Sequence, residues 1–287
     1  MNPFSSRCCQ HNHAQGWPYF TEHLVLATPD NGVATAIYAA CKATVKVGDG
    51  KEITLHEETN YPFEEAIAFT VSTGEKVAFP FYLRIPSWTQ KAEVRVNGKK
   101  VSAAPVAGKY LCINREWANG DRVELTLPMS LSMRTWQVNK NSVSVDYGPL
   151  TLSLKIAEKY VEKDSRETAI GDSKWQKGAD SKKWPTTEIY PDSPWNYSLV
   201  LDKKEPLKNF KVIRKSWPAD NYPFTATSVP LEVKAIGRPV PEWKIDETGL
   251  CGVLPEEDAV KGDKEEITLI PMGAARLRIS AFPNTKE

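Results

Sequence analysis

The chain places two adjacent thiols and two imidazoles within Arg7-Cys8-Cys9-Gln10-His11-Asn12-His13. Neighbouring cysteines do not readily bridge each other, because disulfide geometry strains adjacent residues. The pair therefore points to metal binding or to catalysis through sulfur, set against the plainer reading of two small buried residues. His11 and His13, spaced i, i+2, project to one face of an extended segment and could join the thiolates around a tetrahedral ion. Four ligands packed between Cys8 and His13 leave the backbone little freedom to reach tetrahedral corners. One histidine lining a pocket or orienting a ligand from behind is the better reading, beside the alternative of ordinary polar contacts.

Other residues carry weaker signals. Glu57-Glu58 and Glu64-Glu65 have acid/base chemistry, but doublets beside strand ends read as solvated charges. Cys41, Cys112 and Cys251 lie in or beside strand-like stretches and read as small core residues. The nine tryptophans invite a sugar-stacking reading. Trp88, Trp117 and Trp136 nevertheless sit at strand edges, where a large ring closes a hydrophobic layer. Trp195, in Ser193-Pro194-Trp195-Asn196-Tyr197, is the aromatic most suited to face a site, because loops carry function.

The elements that must position these residues are strands. A length of 287 residues suggests two domains. The balance of 37 basic and 36 acidic residues offers no single-sign field for nucleic acid or an anionic membrane. No stretch approaches the roughly 20 apolar residues that span a bilayer, and the opening residues lack the layout of a secretory signal, so the chain reads as soluble. Five irregularly placed cysteines do not form an even-numbered disulfide framework.

Period-two alternation predicts strands over 33–47, 52–58, 66–72 and 77–85. Asn97-Gly98 between alternating flanks predicts a hairpin, since both turn positions need positive φ. Asn119-Gly120-Asp121 predicts a second turn leading into Arg122–Leu127, with Val123, Leu125 and Leu127 on one face. About seven or eight strands in about a hundred residues is the density of a two-sheet sandwich. Beyond Pro128, strands are predicted over 142–147, 150–154, 197–201, 210–215, 231–236, 267–270 and 276–282. The polar section from Glu158 to about Lys183 reads as a long loop. Gly16–Leu24 reads as a short helix with Pro18 tolerated in its first turn.

Taken in order, several segments resemble glycoside hydrolase family 127, the β-L-arabinofuranosidases and related enzymes. They are Cys8–Phe20, Ala27–Gly32, Val45–Gly50, Tyr61-Pro62-Phe63-Glu64-Glu65, Leu83–Trp88, Trp117 with Gly120-Asp121, Tyr147-Gly148-Pro149-Leu150, Ser193–Tyr197 and Pro271–Arg278. The resemblance implies an all-β chain of two consecutive antiparallel β-sandwich domains, 27–128 and 129–287. A short remnant of a catalytic (α/α)6 barrel over 1–26 would precede them.

It further implies Cys8 as nucleophile, with Cys8 and Cys9 as zinc ligands. The other ligands and the acid/base glutamate would come from preceding barrel sequence, leaving this piece inactive alone. His11, His13 and Trp195 are the candidate substrate contacts, and the implied substrate is a plant-derived oligosaccharide or arabinofuranoside. The compartment stays open between cytoplasm and periplasm. The alternative reading is a non-catalytic sandwich pair serving as an accessory or carbohydrate-binding module.

Overall fold

A computed structural model of the chain describes residues 12, 14–164, 180–256 and 262–286. They divide into two compact units, one running to Ser130 and one starting at Leu131. The architecture is all-β, and among the described residues no helix is long and apolar enough to cross a membrane.

The first unit opens with the helix α1, Gly16–Glu22, in which Pro18 sits in the first turn where its missing N–H is harmless. Ten strands come after it: β1 (Val25–Ala27), β2 (Val33–Thr35), β3 (Cys41–Val47), β4 (Lys51–Thr59), β5 (Ala66–Thr73), β6 (Val77–Ile85), β7 (Glu93–Val96), β8 (Lys99–Lys100), β9 (Lys109–Trp117) and β10 (Arg122–Thr126). They form a sheet of order β1-β2-β6-β9 and another of order β3-β4-β5-β10-β7-β8. Pairings are antiparallel except β2 with β6, which run parallel. The predicted span 33–47 is thus two strands, broken so that β2 and β3 join different sheets.

Alternation sends Ile53 and Leu55, Ile67 and Phe69, and Val123 and Leu125 inward from one sheet, and Phe79, Phe81, Leu83 and Trp117 inward from the other, into one cluster. Phe69 and Phe81 meet edge to face at 5.4 Å across the two sheets. Trp117 is fully buried, lies 5.7 Å from Phe79, and donates its indole N–H to the Phe79 carbonyl at 3.0 Å. The predicted hairpin forms with φ of 49° at Asn97 and 76° at Gly98, both left-handed as a two-residue turn requires. Asn97 also donates to Asp121 at 2.8 Å and accepts from the Arg122 amide at 2.8 Å, tying that turn to the one at Asn119–Asp121. Gly32, before β2, has no room for a side chain, since a Cβ would stand 2.3 Å from the Pro80 carbonyl oxygen.

Glu57 departs from expectation. It shares the inward parity of Ile53 and Leu55 on β4, so its side chain is buried at 1% exposure where a solvated charge was predicted. Its cross-strand partner Cys41 places the thiol 3.9 Å from Glu57 Oε2 and the Ala39 backbone also meets the carboxyl, while the buried Arg84 Nε has no hydrogen-bond partner among the described residues. Burial pushes the Glu57 carboxyl up to about 8 and, with Glu57 beside it, the Cys41 thiol up to about 11.

The second unit contains β11 (Leu131–Trp136), β12 (Ser142–Tyr147), β13 (Leu150–Leu154), β14 (Glu158–Lys163), β15 (Thr186–Pro191), β16 (Tyr197–Leu201), β17 (Lys211–Arg214), β18 (Leu231–Pro239), β19 (Glu265–Pro271) and β20 (Asn284–Lys286). One sheet runs β11-β12-β13-β19-β18-β16-β20, with β17 paired to β18 and with β16 and β20 parallel. Phe282, just before β20, exchanges both backbone bonds with Val143 of β12, at 2.8 and 2.9 Å. The strands enclose a core that includes Val145, Leu152, Leu199, Val233 and Leu269.

Three sequence expectations change here. Arg276–Phe282 is not a ladder strand, although Ile279 is buried and Arg276 and Arg278 are exposed as its alternation requires. Its backbone instead bonds locally to Ser153 and Leu154. Glu158–Lys163, read as loop, is a strand paired with β15 in a two-stranded ribbon. A ribbon exposed on both sides needs no apolar alternation, so none marks it in the sequence. Trp136 closes no layer; it is exposed, with Arg134 stacked 5.1 Å from its ring.

Truncating Trp117 to alanine should lower stability by about 3–5 kcal/mol, whereas Trp117→Phe should lose less; urea unfolding of both variants checks this. For Glu57 the folded state holds a proton that the unfolded chain releases near the ordinary 4.5, so its contribution is full below that pH, declines as pH rises, and levels off above about 8. Relative to Glu57→Gln, the wild-type protein should lose up to about 1.4 kcal/mol per pH unit across that window. Parallel stability profiles for the two proteins would refute a neutral buried Glu57.

Candidate functional site

Cys8, Cys9, His11 and His13 lie outside the described residues, so the structure gives them no geometry. Immediately C-terminal to them lies α1, which buries none of its residues and leaves Trp17 and Tyr19 more than 60% exposed. The Thr21 hydroxyl donates back to the Trp17 and Pro18 carbonyls at 3.1 and 2.9 Å, and the His23 ring lies 2.6 Å from the Tyr19 carbonyl oxygen. These contacts hold the helix end without reference to any core.

Two thiols suit zinc, but they are half of a tetrahedral donor set. Among the described residues no group of three or more His, Cys, Asp or Glu side chains could hold a metal ion. Nor do the remaining cysteines behave as core. Cys112 is exposed because it alternates with inward Leu111 on β9, and Cys251 is exposed at an isolated bridge to Ile245; only Cys41 is half-buried.

Trp195, between β15 and β16, is half-buried and rigidly seated. Its ring meets Trp243 at 5.2 Å in an edge-to-face contact. The adjacent Asn196 amide donates to the Val240 and Trp243 carbonyls at 2.9 and 3.1 Å, and the Trp243 indole donates to the Gly252 carbonyl at 2.9 Å. The exposed part of Trp195 lines a pocket of about 280 Å³ together with Ile189, Leu250, Cys251 and Arg278.

A second cleft, about 700 Å³, is lined by Glu158, Tyr160, Thr225 and Arg276. Arg276 also borders the first pocket, lies 3.5 Å from the Glu158 carboxylate, and stacks 5.7 Å from the Tyr160 ring. A hydrogen bond to Glu158, at 2.5 Å, holds the Tyr160 hydroxyl above its ordinary pKa. Arg276 and Arg278 belong to the pockets although the sequence reading placed them only within a predicted strand over 276–282. The signal was available: an alternating stretch with arginine at both outward positions.

Residues 32–129, nearly the extent of the first sandwich, match the family model described as the β-L-arabinofuranosidase, GH127 middle domain. No curated protein matches the chain. Among solved structures, a GH127 β-L-arabinofuranosidase from Geobacillus stearothermophilus T6 is similar with a TM-score of 0.64 and 22% identity, over 97% of this chain and 37% of that one. A protein described as a glycoside hydrolase gives 0.63 and 22%, over 98% of this chain and 40% of that one. A GH127 β-arabinofuranosidase gives 0.64 and 22%, over 97% and 38%. The chain therefore spans 37–40% of the length of the solved structures it matches, and what it shares with them along its own length is the fold. Residues 32–129 thus match the middle domain of glycoside hydrolase family 127, within a chain that shares the fold of these solved structures over nearly all of its length.

Proposed function

We propose that this chain is part of a retaining glycoside hydrolase acting on β-L-arabinofuranosides, with Cys8 as its nucleophile. The match of residues 32–129 to the middle domain of β-L-arabinofuranosidases carries the reading, and the upstream Cys8-Cys9 pair supplies residues chemically fit for it. Cys8 and Cys9 would be the zinc ligands in this chain, and zinc, when bound, supplies a cysteine held as thiolate near neutral pH.

On this reading the Cys8 sulfur bonds to the anomeric carbon as the bond to the leaving oxygen breaks. A carboxylic acid from polypeptide beyond these residues gives that oxygen its proton. The resulting carboxylate then takes a proton from the water that displaces sulfur, so two inversions yield net retention. The acid and the further zinc ligands are assigned to no described residue. The same reading accounts for α1, whose exposed aromatic side chains would be covered by the remainder of a whole enzyme.

Alone, the chain should release no p-nitrophenol from p-nitrophenyl β-L-arabinofuranoside. Joined to the helical lobe of a family-127 enzyme it should release it, and Cys8→Ser in that joined protein should lower turnover at least about 10³-fold. Zinc content by elemental analysis should fall in the Cys8→Ser, Cys9→Ser double variant of the joined protein. Undiminished turnover by Cys8→Ser would overturn the assignment of the nucleophile.

A further inference from the structure

Trp195's pocket has a composition that the glycosidase reading does not use. Its wall is apolar, with Ile189, Trp195, Leu250 and Ile279, and no aspartate or glutamate lines it. Two arginines do, and they differ. Arg276 is matched by Glu158 at 3.5 Å. Arg278 donates through Nε to the Ala275 carbonyl at 2.8 Å and makes no ion pair with any described residue. An exposed guanidinium without a carboxylate, beside an apolar recess of about 280 Å³, is a paired demand for an anion and for hydrocarbon.

The recess is built and not incidental. Trp195 is fixed from behind by Trp243. The opposite lip is a tight turn in which the Asp246 carboxylate accepts from the Thr248 amide at 2.9 Å, the Thr248 hydroxyl at 2.6 Å and the Leu250 amide at 3.1 Å. Ile245 and Cys251 bridge at its base. That turn holds Ile245 and Leu250 out at 43% and 66% exposure, where water contact is unfavourable until something apolar covers them.

We propose that this pocket binds a small apolar carboxylate, an aryl or short alkyl acid whose ring or chain lies against Trp195 and Leu250 and whose carboxylate pairs with Arg278. A free sugar fits poorly, because its hydroxyls would find few partners. The Tyr190 hydroxyl on the rim is already committed to Glu188 at 2.5 Å and Arg276 to Glu158, and the other side chains of the wall are hydrocarbon apart from Arg278 and the Cys251 thiol. The site stands independently of any role for Cys8.

The thiol gives the test a local readout. With the whole chain, trans-cinnamate should bind saturably by calorimetry and slow iodoacetamide alkylation of Cys251, followed by peptide mass mapping, while leaving Cys112 labelling unchanged. Cinnamyl alcohol, with the same ring and no charge, should bind at least about tenfold more weakly. Arg278→Gln should weaken cinnamate by at least about tenfold and Arg278→Lys by less, since it restores the charge without the fork. Arg278 is exposed, so both variants should fold. Equal binding of acid and alcohol, unchanged binding by Arg278→Gln, or protection of Cys251 by L-arabinose and not by cinnamate would each overturn the proposal.

Discussion

The contact between Phe69 and Phe81 is the interaction on which the first unit turns. The two sheets it joins share no strand ladder, so they are held face to face by burial, and edge-to-face ring contacts give that burial a specific geometry. Trp117 extends the same contact along β9, packing on Phe79 and Phe81 while its indole N–H is satisfied at the Phe79 carbonyl. A one-residue slip of β5 or β6 would turn these rings to solvent, so the aromatic positions fix register as well as association. Glu57 occupies the same inward row and cannot move outward without moving Leu55 and Ile53 with it. Parity therefore explains an acid whose burial outweighs its contacts with the Ala39 backbone and the Cys41 thiol.

In the second unit the end of the chain returns onto the sheet. Phe282 pairs with Val143 of the inner strand β12 while the adjoining β20 pairs with β16. The chain reaches Phe282 through Arg276–Ile279, whose course is set by the Ile279 amide bonding the Ser153 hydroxyl at 3.0 Å and the Leu154 amide bonding the Ile279 carbonyl at 2.9 Å. With Ile279 inward, Arg276 and Arg278 are driven outward. Closure of the core thus sets the positions of both guanidiniums beside the pockets.

Much of this fold was legible. Alternation marked β6, β12, β13 and β16 at their observed limits, and Asn97-Gly98 marked its hairpin, because each signal is local and each face is cleanly divided between core and water. What escaped was structure whose pattern is mixed. In β9 only Leu111 and Trp117 are buried, and with the polar run Asn114-Arg115-Glu116 between them the sequence reading placed no strand there, although β9 pairs along the whole of β6. The β14–β15 ribbon is exposed on both faces, and its charged residues look the same in a strand as in a loop. Arg276–Phe282 fails the other way: its alternation is real, but the ladder it suggests is replaced by side-chain and loop bonds.

The candidate sites divide along the same line. Adjacent thiols at Cys8-Cys9 are visible as chemistry in sequence because the chemistry is contiguous. The Trp195 pocket is not contiguous: Ile189 comes from β15, Leu250 from the turn built on Asp246, and Arg278 from the stretch pinned to Ser153. Sequence inspection could single out Trp195 as a loop aromatic, but Arg278 joins it only through the order of the sheet, which brings β13 and β19 together and carries the end of the chain past them. A ligand demand read from Trp195 alone is for a flat apolar face. Adding the Arg278 guanidinium changes that demand to a charged one, so the chemical class recognised there is a property of the folded sheet and not of any one segment.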